Sequence, residues 1–209
     1  MTNPKLKKDK EEGNLSQTAK TYCEDWLKET LYGRRKEINS KYLDKGIECE
    51  QDSIDLLERY INKSMLIKNE EFRENSFLTG TPDIVLNESI IDIKTSWDCF
   101  SFPLFSDIVD KNYYWQLQGY MELWDKNKSL LDYCLVNTPD WLIDIEISKV
   151  SISNDDHYQE VYNKYIYDDI PDTLRVKEFS IDRDKDAIKL VEAKVMKCRK
   201  YIDYLIKKM

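Results

Sequence analysis

Asp83 and Asp92 stand nine residues apart, and Lys94 follows two residues later. Asp83 closes the run Gly80-Thr81-Pro82-Asp83, and Asp92 opens the triplet Asp92-Ile93-Lys94. Between them two aliphatic runs, Ile84-Val85-Leu86 and Ile90-Ile91, are separated by a break at Asn87-Glu88, the pattern of a hairpin with a two-residue turn. In that register Leu86 pairs with Ser89, Val85 with Ile90 and Ile84 with Ile91, so Asp83 lies opposite Asp92 and strand alternation adds Lys94 to the same face. Asn-Glu is a poorer turn pair than Asn-Gly, and a three-residue loop would stagger the pairing. Opposed residues on one face have Cβ atoms roughly 4.5–5.5 Å apart, where like charges repel. A hard divalent cation removes that repulsion, because it takes oxygen ligands from one or two carboxylates plus water. Lys94 cannot ligate such an ion; its ammonium suits a phosphate or an attacking water, the chemistry of metal-assisted phosphodiester cleavage. A D-x-K triplet alone also fits a solvated strand edge. The flanks oppose that, since Ile84, Leu86, Ile91 and Ile93 cover one face of the hairpin and Val85 and Ile90 the other.

Several elements must bring further residues to this hairpin. A first amphipathic helix is expected from Ser16 to about residue 31, with Leu15, Ala19, Tyr22, Trp26 and Leu31 as its apolar stripe. Gly33 ends it, and Arg34, Arg35 and Lys36 follow as a basic cluster, with Lys41 and Lys45 shortly after. The cluster reads either as a solvated linker or as phosphate contacts. A second helix after Gly46 sets Ile47, Glu50, Ile54, Leu57 and Ile61 three and four residues apart. Glu50 therefore lies on the apolar face, as a third carboxylate for a metal or as an edge residue paired with a nearby lysine. Residues 65–79 are expected to add a strand built on Met65-Leu66-Ile67 and on Phe72 to Leu78. The loop from Thr95 to Asp107 holds Trp97, Phe100, Phe102 and Phe105, either core cover or a stacking platform for bases, and core cover is the preferred alternative. A third helix over Asp107 to Lys126 places Gln116 and Tyr120 on one face. Strands at Leu130 to Val136 and Leu174 to Ile181, a short helix after Thr138-Pro139 and a long one from Asp184 to Lys208 complete the expected elements.

Composition bounds the class. The chain has 209 residues, 32 basic and 40 acidic, for a net charge of -8. Residues 1–14 read as a disordered Lys/Glu-rich tail and 15–209 as a single domain with helical additions at both ends. An acidic chain that meets DNA must do so through local basic groups and a metal. No long apolar stretch suggests a membrane span or a secretory leader, so a cytoplasmic protein is expected. Five scattered cysteines without a C-x-x-C pair argue against structural zinc. One histidine, His157, disfavours histidine-built hydrolases.

A helix-borne glutamate, Gly80-Thr81-Pro82-Asp83, Asp92-Ile93-Lys94 and a helix with Gln116-x-x-x-Tyr120, in this order, resemble the PD-(D/E)xK nuclease superfamily. Within it the chain looks most like the RecB-like and lambda-exonuclease-like branch, which includes the YqaJ-type phage recombination exonucleases. The resemblance implies an α/β fold with a restriction-endonuclease-like core, a mixed central sheet flanked by helices on both faces. It implies Glu50, Asp83, Asp92 and Lys94 as catalytic residues. Glu50, Asp83, Asp92 and the Ile93 carbonyl would hold one or two Mg²⁺ or Mn²⁺ ions. Gln116 and Tyr120 would contact substrate, together with the candidate residues Arg34, Arg35, Lys36, Thr95 and Trp97. The implied activity is a DNA exonuclease that leaves 5′-phosphates, serving recombination or repair in a phage or mobile element. Its implied partners are DNA, a single-strand annealing or recombination protein, and further copies of itself. An endonuclease of the same fold and a non-cleaving binding protein are the alternatives. The late cysteine trio of the iron-sulfur members is missing, so no cluster is expected.

Overall fold

The computed structural model describes residues 14–209 except Asn39, Lys63, Ser64 and Ser153, so nearly all of the expected N-terminal tail lies outside the described residues. The chain divides into two compact units, one from Met1–Ile38, Glu74–Thr79 and Asp184–Met209, the other from Asn39–Arg73 and Gly80–Arg183.

The first unit holds helices α1 (Gln17–Tyr32) and α7 (Lys185–Lys208), which pack on each other. Ser16 caps α1 by accepting from the Ala19 N–H, and Gly33 ends it at φ 63°, a left-handed position that favours glycine. The buried face of α1 is Cys23 and Leu27; Tyr22 and Trp26 are exposed, contrary to the expected stripe. Aromatic residues at helical spacing mark a face, and here the small thiol and Leu27 fit the partner helix. The hydroxyl of Tyr201 on α7 donates to Glu24 over 2.6 Å and fixes the same pairing.

The second unit is built on one mixed sheet in the order β3 (Ile84–Val85), β4 (Ser89–Thr95), β5 (Lys128–Cys134), β6 (Val176–Asp182); the short strands β1 (Arg73–Glu74) and β2 (Thr79–Gly80) fall at the points where the chain passes from one unit to the other. β3 and β4 are antiparallel, β4 and β5 parallel, β5 and β6 antiparallel. The hairpin has the two-residue turn: Ile84 pairs with Ile91, Val85 with Ile90, and the Leu86 N–H donates to the Ser89 carbonyl at 2.9 Å. Central β4 is buried from Ser89 to Ile93, as befits a strand covered on both faces. On one face α3 (Glu50–Ile61) contributes Ile54 and Leu57 to a core with Ile84, Ile91 and Ile93. On the other, α4 (Lys111–Trp124) packs Leu117 and Met121 against Ile90, Leu131 and Phe179. Helices thus flank the sheet on both faces, as expected. Helices α5 (Asp140–Ser148) and α6 (Asp155–Asn163) follow β5, and α6 has no counterpart among the expected elements.

Three expectations are corrected. The second helix is two: α2 (Lys41–Glu48) precedes α3, and Ile47 at the end of α2 is 67% exposed. Residues 65–79 form only the two-residue β1 and β2 and one bridge between Lys68 and Ile84; Met65 and Ile67 are exposed. Lys41 and Lys45 are not free phosphate contacts. Lys41 pairs with Glu146 at 3.0 Å, and Lys45 is wholly buried, donating to the carbonyls of Trp97 and Val136 at 2.9 Å each. Burial draws the Lys45 ammonium pKa down to about 8, yet two carbonyl acceptors make the site habitable. Among the described residues no helix is long and apolar enough to cross a membrane.

Candidate functional site

Asp83 sits where the chain enters β3. Asn69 holds this entry by donating from its backbone to the Asp83 carbonyl at 2.7 Å and from its side chain to the Pro82 carbonyl at 3.0 Å. The Asp83 carboxylate turns to β4, where Oδ2 accepts the Ile93 N–H at 2.6 Å. On β4, Ile90 packs towards α4, so alternation sends Asp92 and Lys94 to that same face. Lys94 Nζ lies 2.6 Å from Asp92 Oδ2, an ion pair formed without a well-aligned hydrogen bond to that oxygen. The ammonium also stands over the Tyr113 ring, 4.9 Å from its centre.

Asp92 is 1% exposed, and its carboxyl is pushed above the ordinary range by burial, with Lys94 pulling the other way. Asp83 is raised to about 6, first by burial and then by the charge of Asp92, against the opposing pull of the Ile93 N–H and Lys94. For Lys94, burial acts to lower the pKa, but Asp92 and Asp83 outweigh it and hold the ammonium above its usual value. The cluster is therefore one buried and one half-buried carboxylate sharing one cation, with one negative charge too many.

Glu50 begins α3 and influences Asp83 electrostatically, yet its carboxylate is held by Lys68 at 2.7 Å. Among the described residues no three His, Cys, Asp or Glu side chains converge as a ready-made metal cage. What the chain offers is an opposed, oxygen-only carboxylate pair with excess negative charge, which fits a hard divalent cation that keeps much of its water.

Gln116 donates to the Tyr120 hydroxyl at 2.9 Å, and Tyr120 feels the charges of Asp92, Lys94 and Asp83, which places it beside the cluster. Thr95 turns to the opposite face, where its hydroxyl meets that of Ser53 at 2.9 Å, and Trp97 is buried against Tyr42 and Tyr165. Arg34, Arg35 and Lys36 belong to the other unit; Arg34 donates to the Tyr32 carbonyl and Lys36 pairs with Asp25 at 2.9 Å. Two contributors escaped the sequence reading. Tyr113 was legible in principle, since it lies seven residues before Tyr120 on the same helix face. Lys68 was not, because only the bridge to Ile84 carries it to Glu50.

Gly80 has a packing reason as well. A Cβ there would collide with the Tyr120 ring, which packs edge-on against Trp124. Gly80→Ala is expected to displace Tyr120 from Gln116 and to cost about 1–3 kcal/mol by overpacking. Thermal unfolding of this variant beside Tyr120→Leu checks it: Gly80→Ala should destabilise far less when Tyr120 is already Leu.

The mixed sheet flanked by helices is an α/β fold that this chain shares with solved exonucleases. The chain is 35% identical to a phage-related exonuclease from Haemophilus somnus 129PT, with a TM-score of 0.80 over 100% of this chain and 91% of that one. It belongs to that family of phage-related exonucleases. An alkaline exonuclease from Laribacter hongkongensis shares the fold at 18% identity, with a TM-score of 0.62 over 92% of this chain and 86% of that one; a second structure of it, in complex with dAMP, gives 0.60. No protein-family model matches the sequence, and no curated protein matches it.

Proposed function

We propose that this protein is a divalent-metal-dependent DNA exonuclease that hydrolyses phosphodiester bonds from strand ends and leaves 5′-phosphates. The observation that carries the proposal is the opposed pair Asp83 and Asp92 with Lys94 at 2.6 Å on one sheet face, in a chain that belongs to an exonuclease family. Asp83 and Asp92 would hold Mg²⁺ or Mn²⁺, with Glu50 and the Ile93 carbonyl as further oxygen donors. When bound, the ion supplies a water of lowered pKa and neutralises charge building on the phosphate.

The chain's own residues do the rest. Buried Asp92 and half-buried Asp83 would hold the cation where their charge is poorly screened. Lys94, paired with Asp92 at 2.6 Å, would donate to a phosphate oxygen or position and help deprotonate the attacking water. Gln116 and Tyr120 orient one another and border the cluster, positioned to order the substrate backbone. Such an activity would serve recombination or repair of phage or mobile DNA, beside a single-strand annealing protein.

The test is hydrolysis of end-labelled linear duplex DNA with Mg²⁺, with Mn²⁺ and with EDTA, by the wild type, Asp92→Asn and Lys94→Ala. Each variant is expected to lose at least a hundredfold in rate. Undiminished cleavage by both would sink the proposal. Covalently closed circles should resist the wild type; their cleavage would establish an endonuclease instead. The net charge of -8 favours one other reading, a binding protein on a nuclease fold, for which DNA binding without cleavage in either metal would speak.

A further inference from the structure

Between Lys94 and α4, residues 96–110 form a loop that buries some of its apolar side chains and displays others. Trp97 and Phe102 are 5% and 6% exposed, whereas Phe100 and Phe105 are each 93% exposed and Ile108 82%. The loop is pinned. Buried Lys45 holds the Trp97 carbonyl, Tyr167 accepts the Cys99 N–H at 3.2 Å, and Asp98 Oδ1 accepts the N–H groups of Phe100 and Ser101. Phe102 anchors the middle against Leu135 and Tyr167. Phe100 and Phe105 are thus held outward by a braced backbone. Scattered exposed apolar residues are ordinary, but three nearly bare ones on one braced loop mark a place of contact.

That place adjoins the cluster. Lys94, Tyr133 and Lys177 occupy one register row across the sheet. The loop leaves β4 beside Lys94, meets Lys177 through Asp107 at 3.8 Å, and returns with Tyr113 over Lys94. Phe100, Phe105 and Ile108 therefore stand along the rim of the sheet end that carries Lys94. Asp98, Asp107 and Asp110 make the loop repellent to phosphates, so the part of a nucleic acid it can face is the bases. Flat aromatic faces suit bases of any sequence.

We propose that Phe100 and Phe105, flanked by Ile108, form a stacking platform for unpaired nucleobases of the strand entering the Asp83–Asp92–Lys94 cluster. This rests on the nuclease reading of that cluster. It makes single-stranded ends the preferred point of engagement, with the loop gripping bases while Lys94 meets the backbone.

The test uses the full chain and its Phe100→Ala/Phe105→Ala variant, in Ca²⁺ to hold off hydrolysis. The probes are blunt duplexes and duplexes carrying single-stranded ends of either polarity with 2-aminopurine in the overhang. The wild type should bind overhangs more tightly than blunt ends and change the 2-aminopurine fluorescence. The variant should lose that change and about tenfold or more of overhang affinity, with blunt-end affinity preserved; Phe100→Trp/Phe105→Trp should restore both. Equal losses on both DNAs, no loss on either, or a variant that shifts oligomeric size in place of overhang affinity would overturn the platform, the last by showing the loop to be a contact between copies. If wild type degrades linear DNA in Mg²⁺ while the variant behaves identically, only the platform fails. A wild type that neither binds nor degrades DNA removes both readings.

Discussion

Asp83→Asn is expected to abolish metal-dependent DNA hydrolysis and, in the absence of metal, to make the protein more stable. Both effects have one cause. The folded protein holds the Asp83 pKa at about 6 against an ordinary value of 3.8, chiefly through burial and the facing charge of Asp92. A carboxyl raised in this way lends stability in its protonated form. That contribution is complete below about pH 4 and is lost as pH rises through 6. At neutral pH the ionised, repelled Asp83 therefore weighs on the metal-free fold by about 1–3 kcal/mol relative to a neutral isostere, a range that allows for the side chain's partial exposure. Asparagine removes the charge and keeps an oxygen to accept the Ile93 N–H. Urea unfolding in EDTA should show wild-type stability falling more steeply than that of the variant between pH 4 and 6, with the variant ahead at pH 7. Adding Mn²⁺ should reverse the order, because a ligand at a hundredfold over its Kd stabilises by about 2.7 kcal/mol and the variant has lost half of the carboxylate pair. A variant less stable than wild type at pH 7 in EDTA would refute this account of the pair, and so would one that still cleaves DNA.

The hairpin register that brings Asp83 near Asp92 was readable because a hairpin obeys counting. Once Asn87-Glu88 is the turn, alternation assigns every side chain of Ile84 to Lys94 to a face, and the two cores received them accordingly. Periodicity also drew Glu50 towards the sheet. It could not show that Lys68 would take hold of its carboxylate, since that contact depends on residues outside any regular element. Lys45 was illegible for a related reason. Three lysines and two arginines in a dozen residues look solvated, and only the folded chain brings two strand-end carbonyls to one of them. In the loop after Thr95 no period exists at all, so composition could not separate buried Trp97 and Phe102 from exposed Phe100 and Phe105. The most informative residues of the site were legible through strand geometry; their restraints, set by irregular segments, were not.

Asp132→Asn is expected to stabilise the protein without touching its chemistry. Asp132 lies on β5 between Ile93 and Glu178 in register, on the face towards α3 and so opposite Asp92 and Lys94. It is fully buried, and neither carboxylate oxygen has a hydrogen-bond partner among the described residues. Burial foremost, then the charges of Glu178 and Asp92, push its pKa up to about 8. The protonated form is thus the one the fold accepts. Its contribution is full below about pH 4 and drains away as pH rises towards 8, since the unfolded chain gives up the proton first. At pH 7 the accumulated cost relative to a neutral side chain approaches about 4 kcal/mol, from which an unpaired asparagine amide subtracts part, leaving about 2 kcal/mol of gain. For a chain of this length that is a rise in Tm of roughly 4–8 °C. The gain should be small at pH 5 and largest near pH 8, while DNA hydrolysis stays at the wild-type rate. A gain equal at pH 5 and pH 8 would mean that packing, not charge, sets it. Loss of stability at pH 8 would mean that the folded chain does not hold Asp132 in its neutral form.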